Sequence, residues 1–293
     1  MVVSPASLQP AGRHAGWQGP RTVSYLVCDV DGTLVGPDAL ARPAVVAALD
    51  RAREADVRVG YATGRMRDGV RSLHDQLDIS GPHVLHNGAQ VRADGRTVVA
   101  WPLDDDAVDG LLALAHRCDD AYVEIYTESG FVASAHDERA AAHWELLGAR
   151  PRSLIDRAAD LAGQPALKAT FAVFDPQAVT DLVVEVERLG LMPGPSESPR
   201  TPDLAYVNVT HPDADKGRAL VRAADHLDVP LSEVVAIGDA TNDLSMFEVA
   251  GTAIAMGQAA PSVHAAAHLS APSVDADGVA TAVDRLLRWM DRS

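Results

Sequence analysis

Three short apolar runs in this chain stop abruptly at polar turns built from Asp, Thr and Gly, and that recurrence limits the possible folds more than any bulk property. The run Val23 to Val27 closes on Cys28-Asp29-Val30-Asp31-Gly32-Thr33-Leu34. A second, with Val57, Val59 and Tyr61, ends in Ala62-Thr63-Gly64-Arg65, and a third, Val234 to Ile237, breaks at Gly238-Asp239. Runs of this length between helical stretches read as strands of a parallel sheet in an α/β protein. Ligands of such sheets bind beyond the carboxyl ends of the strands. Asp29 and Asp31 therefore belong in a crevice, because neither acid is tolerated unpaired in a core.

The residue types at these strand ends suit an anion held beside a cation. The Thr63 hydroxyl and the Gly64 amide can wrap an anion. Asp29, Asp31 and Asp239 offer the oxygen ligands that a hard divalent ion prefers. Asn242 and Asp243 stand at a helix start, where they also serve as ordinary caps. Lys216 opens a helix running through Leu220, Val221, Ala224 and Leu227, and it is one of only two lysines, with Lys168, in a chain whose other 23 basic residues are arginine.

In order along the chain, Asp29-Val30-Asp31-Gly32-Thr33, Thr63-Gly64-Arg65, Lys216-Gly217 and Gly238-Asp239 with Asn242-Asp243 resemble the four motifs of the haloacid dehalogenase (HAD) superfamily, most closely its Cof-type phosphatases with a large α/β cap. His86-Asn87-Gly88-Ala89, Ala255-Met256-Gly257 and Asp277-Gly278-Val279-Ala280 extend the match, and Gln258 departs from the usual Asn. The resemblance implies a Rossmann-like core with a mostly parallel sheet and an inserted α+β cap. It implies Asp29 as nucleophile, Asp31 as general acid and base, and Mg²⁺ as cofactor, bound by the carboxylates of Asp29 and Asp239 and the main-chain carbonyl of Asp31. Phosphate would be met by Lys216, Thr63, Asn242 and the amides of Val30 and Gly64, with Asp243 orienting Lys216 or a metal water. Arg65, His86, Asn87 and Lys168 are candidate substrate contacts. The implied function is hydrolysis of a small phosphorylated metabolite (a sugar phosphate, nucleotide or phosphorylated cofactor) through an aspartyl phosphate. A phosphomutase of the same superfamily and a non-catalytic phosphometabolite sensor are the alternatives. Asp31 counts against a dehalogenase.

Composition bounds the remainder. With 293 residues, 47% of them hydrophobic, the chain can bury one large or two medium cores, and it has no apolar stretch near the roughly 18 residues of a membrane helix. A net charge of −16 opposes binding to a nucleic acid polymer or an anionic membrane. Two cysteines in different segments imply no disulfide framework, which fits a cytoplasmic protein. The oligomeric state is left open. Residues 1–21, rich in Gly, Pro, Ser and Ala, read as a disordered extension. The stretch between the second and third motifs is too long for a loop. It divides the chain into a core of residues 22–87 and 208–293 and a cap of residues 88–207. Within the cap, residues 90–99 read as a hairpin about Asp94-Gly95, residues 193–199 as a loop, and 204–209 as a strand returning the chain to the core. The cap pattern suggests an antiparallel sheet covered on one face. Lys168 alternates out of register with Leu167, Ala169, Phe171 and Val173, which places it on the opposite face.

Overall fold

A computed structural model describes residues 7–197 and 201–291. The chain folds as two compact units: residues up to Gly64, Val70–Val99 and from Asp215 onward form one, and Arg65–Gly69 with Ala100–Ala214 form the other.

The first unit is built on a nine-stranded sheet. Its strands in chain order are β1 (Gln9–Pro10), β2 (Tyr25–Asp29), β3 (Arg58–Ala62), β4 (His83–Leu85), β5 (Gln90–Ala93) and β6 (Arg96–Ala100). The second unit contributes β7 (Ala121–Thr127), β8 (Gly130–Ala133), β9 (Lys168–Val173), β10 (Met192–Glu197) and β11 (Ala205–Thr210) to a separate sheet, before β12 (Val234–Gly238), β13 (Thr252–Ala255) and β14 (Leu269–Ser270) complete the first. The order in the large sheet is β1-β14-β13-β12-β2-β3-β4-β5-β6. All pairs from β14 to β4 are parallel. Strand order reverses on either side of β2, so β2, β12 and β3 end together at the switch point where open α/β sheets bind ligands. Helices α1 (Pro43–Glu54) and α2 (Arg71–Leu77) bury Val45, Leu49, Leu73 and Leu77 in a core shared with Leu26, Val59, Val235 and Ile237.

The second unit is a five-stranded sheet ordered β10-β11-β9-β7-β8 with antiparallel pairing throughout. Alternation sorts its side chains. Val123 and Ile125 of β7 and Phe171 and Val173 of β9 pack with Leu111 and Leu112 of α3 (Asp105–Ala115) and Leu182 and Val186 of α5 (Ala178–Arg188); between these two helices in sequence lies α4 (Ala141–Leu147). The opposite face carries Tyr122, Tyr126, Ala172 and Tyr206, against which Trp144 of α4 packs. Helices therefore cover both faces, where one was expected. Lys168, on this second face, is 6% exposed.

Three further expectations need correction. Residues 7–21 are packed rather than disordered: β1 pairs antiparallel with β14, Arg13 Nη1 donates to the Phe247 carbonyl at 2.6 Å, and Trp17 stacks on His268 with its edge to Trp289. One large aromatic and a sheet edge in need of a partner outweigh a polar composition; residues 1–6 lie outside the described residues. The hairpin of β5 and β6 joins the core sheet, because β5 pairs with β4, and the boundaries fall at Val99 and Ala214 instead of 87 and 207. Residues 193–197 form most of β10 rather than a loop, since prolines are accommodated on an edge strand; residues 198–200 lie outside the described residues. Accordingly β11 stays in the smaller sheet.

The remaining helices belong to the first unit: α6 (Lys216–Leu227), α7 (Leu244–Val249), α8 (Pro261–Ala266) and α9 (Gly278–Met290). No helix among the described residues is long and apolar enough to cross a membrane.

Candidate active site

Asp29 is the last residue of β2 and is 5% exposed. Lys216, the first residue of α6, reaches it from the far side of the sequence: Nζ donates to Asp29 Oδ1 at 2.5 Å and to Asp243 Oδ1 at 2.7 Å. The Asp215 side chain caps α6 by accepting from the Arg218 amide at 2.8 Å, which fixes where the helix begins and hence where Lys216 projects. Asp243 is fully buried, and its Oδ2 accepts the amides of Asp239 and Ala240, each at 3.0 Å. One carboxylate thus closes the turn after β12 and holds the lysine.

Asp239, one residue beyond β12, accepts from Thr33 Oγ1 at 3.1 Å on Oδ1 and from Gln258 Nε2 at 3.2 Å on Oδ2. Gln258 Nε2 also donates to the Gly32 carbonyl at 2.5 Å, while its Oε1 accepts the Val274 amide at 3.1 Å, so the amide group is oriented by three partners. Gly32 is required in the turn after Asp31: its φ is +84°, and a Cβ there would sit 2.2 Å from Asp239 Oδ2.

Burial dominates the electrostatics. It raises the Asp29 carboxyl, opposed by Lys216 and reinforced by Asp243 and Asp239. Asp239 is likewise raised, by burial and then by Asp243. Burial would lower Lys216, but the carboxylates of Asp243 and Asp29 outweigh it and hold the ammonium above its usual value. Asp29, Asp239 and Asp243 each place a carboxylate oxygen within 4.8 Å of the others. With one lysine among three acids, the cluster lacks two positive charges, and its donors are hard oxygens. That combination fits a divalent cation. Asp243 already accepts from Lys216 and two amides, so Asp29 and Asp239 are the side chains that could hold such an ion.

The other residues singled out in the sequence fall as follows. Asp31 is exposed in the turn, and its carboxylate is not a member of the acid cluster. Val30 is buried, its carbonyl accepting the amides of Thr33 and Val35. Thr63, 1% exposed, follows β3; its amide donates to the Val84 carbonyl, and its carbonyl accepts the Asn87 amide at 3.0 Å. Gly64 lies against the Asn87 side chain, and Asn242 Nδ2 donates to Asn87 Oδ1 at 3.3 Å. His86 is buried beside Asn87. Arg65 and Lys168 belong to the smaller unit. There, Arg65 Nη1 donates to the Gly69 carbonyl, and Lys168 Nζ lies 4.5 Å over the Tyr126 ring and 3.4 Å from Asn208 Oδ1.

Two features escaped the sequence reading. Gln258 stood out only as a departure from a pattern, with no sign that it touches Asp239. In the cap, Glu124 is fully buried and accepts from Tyr122 at 2.8 Å, Tyr126 at 2.5 Å and Trp144 Nε1 at 2.8 Å, with His143 Nε2 at 3.1 Å. The available signal was a lone acid flanked at two-residue spacing by tyrosines in an otherwise apolar strand, which puts all three on one face.

These strand ends and their acid cluster define the class. The model of the haloacid dehalogenase-like hydrolases matches residues 26–283, and the chain belongs to that family, as one of its phosphatases. It is 28% identical over 287 residues to 5-amino-6-(5-phospho-D-ribitylamino)uracil phosphatase YwtE of Bacillus subtilis, covering 89% of this chain and 97% of that one. It is also 28% identical over 238 residues to HMP-PP phosphatase of Cronobacter sakazakii, covering 80% and 84%. The fold matches that of the phosphatase BT1666 of Bacteroides thetaiotaomicron, with a TM-score of 0.78, 22% identity and coverage of 92% and 97%. The HAD subclass IIB sugar phosphatase BT4131 matches with a TM-score of 0.76 at 21% identity, covering 90% and 98%.

Proposed function

We propose that the protein is a Mg²⁺-dependent hydrolase of small phosphorylated metabolites that works through an aspartyl phosphate. The observation carrying this reading is the Lys216 ammonium bridging Asp29 and Asp243 at the switch point of the sheet. With Oδ1 of Asp29 fixed by Lys216, the other carboxylate oxygen attacks phosphorus, the bond from phosphorus to the ester oxygen breaks, and Asp31 protonates the departing alkoxide. Water then attacks the phosphoryl group, Asp31 takes a proton from it, and inorganic phosphate leaves as Asp29 is restored. Lys216, the Thr63 hydroxyl, Asn242 and the amides of Val30 and Gly64 meet the charge on the phosphoryl oxygens from positions set before substrate arrives. Mg²⁺, held by Asp29, Asp239 and the Asp31 carbonyl, supplies charge neutralisation when bound.

The relatives' names support small phosphorylated metabolites as substrates, and His86, in the same unit as Asp29, is a proposed substrate contact. The test is turnover of a generic aryl phosphate with Mg²⁺. Wild type should hydrolyse it and stop reversibly with EDTA, while Asp29→Asn, free of host phosphatase, should not; substantial turnover by that variant would sink the covalent route. A panel of phosphorylated metabolites then ranks substrates.

A further inference from the structure

His86, Asn87 and Gly88 form three successive residues with positive φ, at 53°, 57° and 104°. Two of them carry side chains, and such strain persists only where the surroundings impose it. Here the surroundings are pieces of three different motifs. The Asn87 amide donates to the Thr63 carbonyl at 3.0 Å. A Cβ on Gly88 would lie 2.2 Å from the Asp215 carbonyl carbon and 2.7 Å from the Lys216 nitrogen, so this backbone presses on the start of α6. A Cβ on Gly64 would lie 2.6 Å from Asn87 Oδ1, and that same oxygen accepts from Asn242 Nδ2.

We propose that Asn87 is a positioning residue that acts on the phosphoryl group through Asn242, rather than a substrate contact. The inference rests on the phosphatase reading above. An amide nitrogen carries two protons, and committing one of them to Asn87 aims the other in a fixed direction. The left-handed backbone turns the Asn87 side chain toward both Gly64 and Asn242, and Asn is among the few side-chain-bearing residues that tolerate it.

The test is a double-mutant cycle in the full-length protein, read by KM and kcat for an aryl phosphate and by inhibition with orthovanadate. Asn87→Gly keeps the backbone conformation and removes the acceptor. It should raise KM and the vanadate inhibition constant about tenfold, the scale of losses when an outer contact is removed elsewhere, with the melting temperature little changed. In an Asn242→Ala background the same change should cost nothing further, because interacting residues are non-additive. If the two losses multiply, Asn87 touches the substrate directly; if Asn87→Gly leaves both constants unchanged, its role is structural. Either result overturns the inference while leaving the phosphatase reading intact. A wild type with neither turnover nor vanadate binding would overturn the phosphatase reading itself. Should the Gly variant fold poorly, Asn87→Asp retains the left-handed backbone and the accepting oxygen. Asn242→Ala must then cost about what it costs in wild type, and disappearance of that cost would likewise overturn the proposal.

Discussion

Lys216 Nζ lies 2.5 Å from the Oδ1 of Asp29, a residue 187 positions earlier in the chain. The same ammonium is the partner of Asp243, so removing it leaves two buried carboxylates without their cation. Lys216→Ala is expected to lose roughly 2–4 kcal/mol of transition-state stabilisation, as when one preorganised donor is deleted. Lys216→Arg should restore little, since a planar fork does not replace a compact ammonium. Values of kcat/KM for the three proteins decide this, and a near-wild-type Arg variant would show that Lys216 is only a general charge.

Gln258 holds Asp239 without neutralising it, which keeps the carboxylate both oriented and available to a cation. Gln258→Ala should weaken Mg²⁺ or Mn²⁺ binding about tenfold, the low end of the effect of removing a partner of a metal ligand. Gln258→Asn should fall between, its amide standing ~1.5 Å short for want of one methylene. Metal titration followed by thermal shift measures both, and unchanged affinity in the Ala variant refutes the role.

Glu124 is the hub of the smaller unit. Burial pushes its carboxyl up, but the hydrogen bonds from His143, Tyr126 and Tyr122 prevail and leave it below the ordinary glutamate value. Glu124→Ala strands Tyr122, Tyr126, Trp144 and His143 together, and a loss of about 3–5 kcal/mol is expected, as for breaking a buried pair by removing one member. Chemical denaturation would show a separate, earlier transition if the two units unfold independently. A variant as stable as wild type would mean that the donors find other acceptors.

Lys168 gives a pH signature in the alkaline range. Burial lowers its ammonium from 10.5 to about 8, against the opposing pull of Glu124. Between those values the unfolded chain binds more protons than the folded one, so stability rises as pH climbs from about 8 to 10.5. Below pH 8 the buried charge costs on the order of 3 kcal/mol, before the Tyr126 and Asn208 contacts offset it. The stability of Lys168→Met relative to wild type should therefore decline across that window. A flat difference would show that Lys168 titrates normally.

Sequence alone located the strand-end residues: Asp29, Thr63, Lys216 and Asp239 each sit where an apolar run meets a turn or a helix begins, and those are local patterns of period and punctuation. It also separated the two sheets by kind, because alternation and spacing are local as well. The tertiary structure decided which partners meet. The hairpin of residues 90–100 carries no mark of which sheet it will extend, and only the open edge of β4 assigns it to the core. Trp17 became part of a packed aromatic cluster because His268 and Trp289 stand beside β14, far away in sequence. Gln258 reaches Asp239, and Asn87 reaches Asn242, across 19 and 155 positions. Such contacts depend on side chains from separate strand ends converging at one switch point, and no local rule of spacing encodes that convergence.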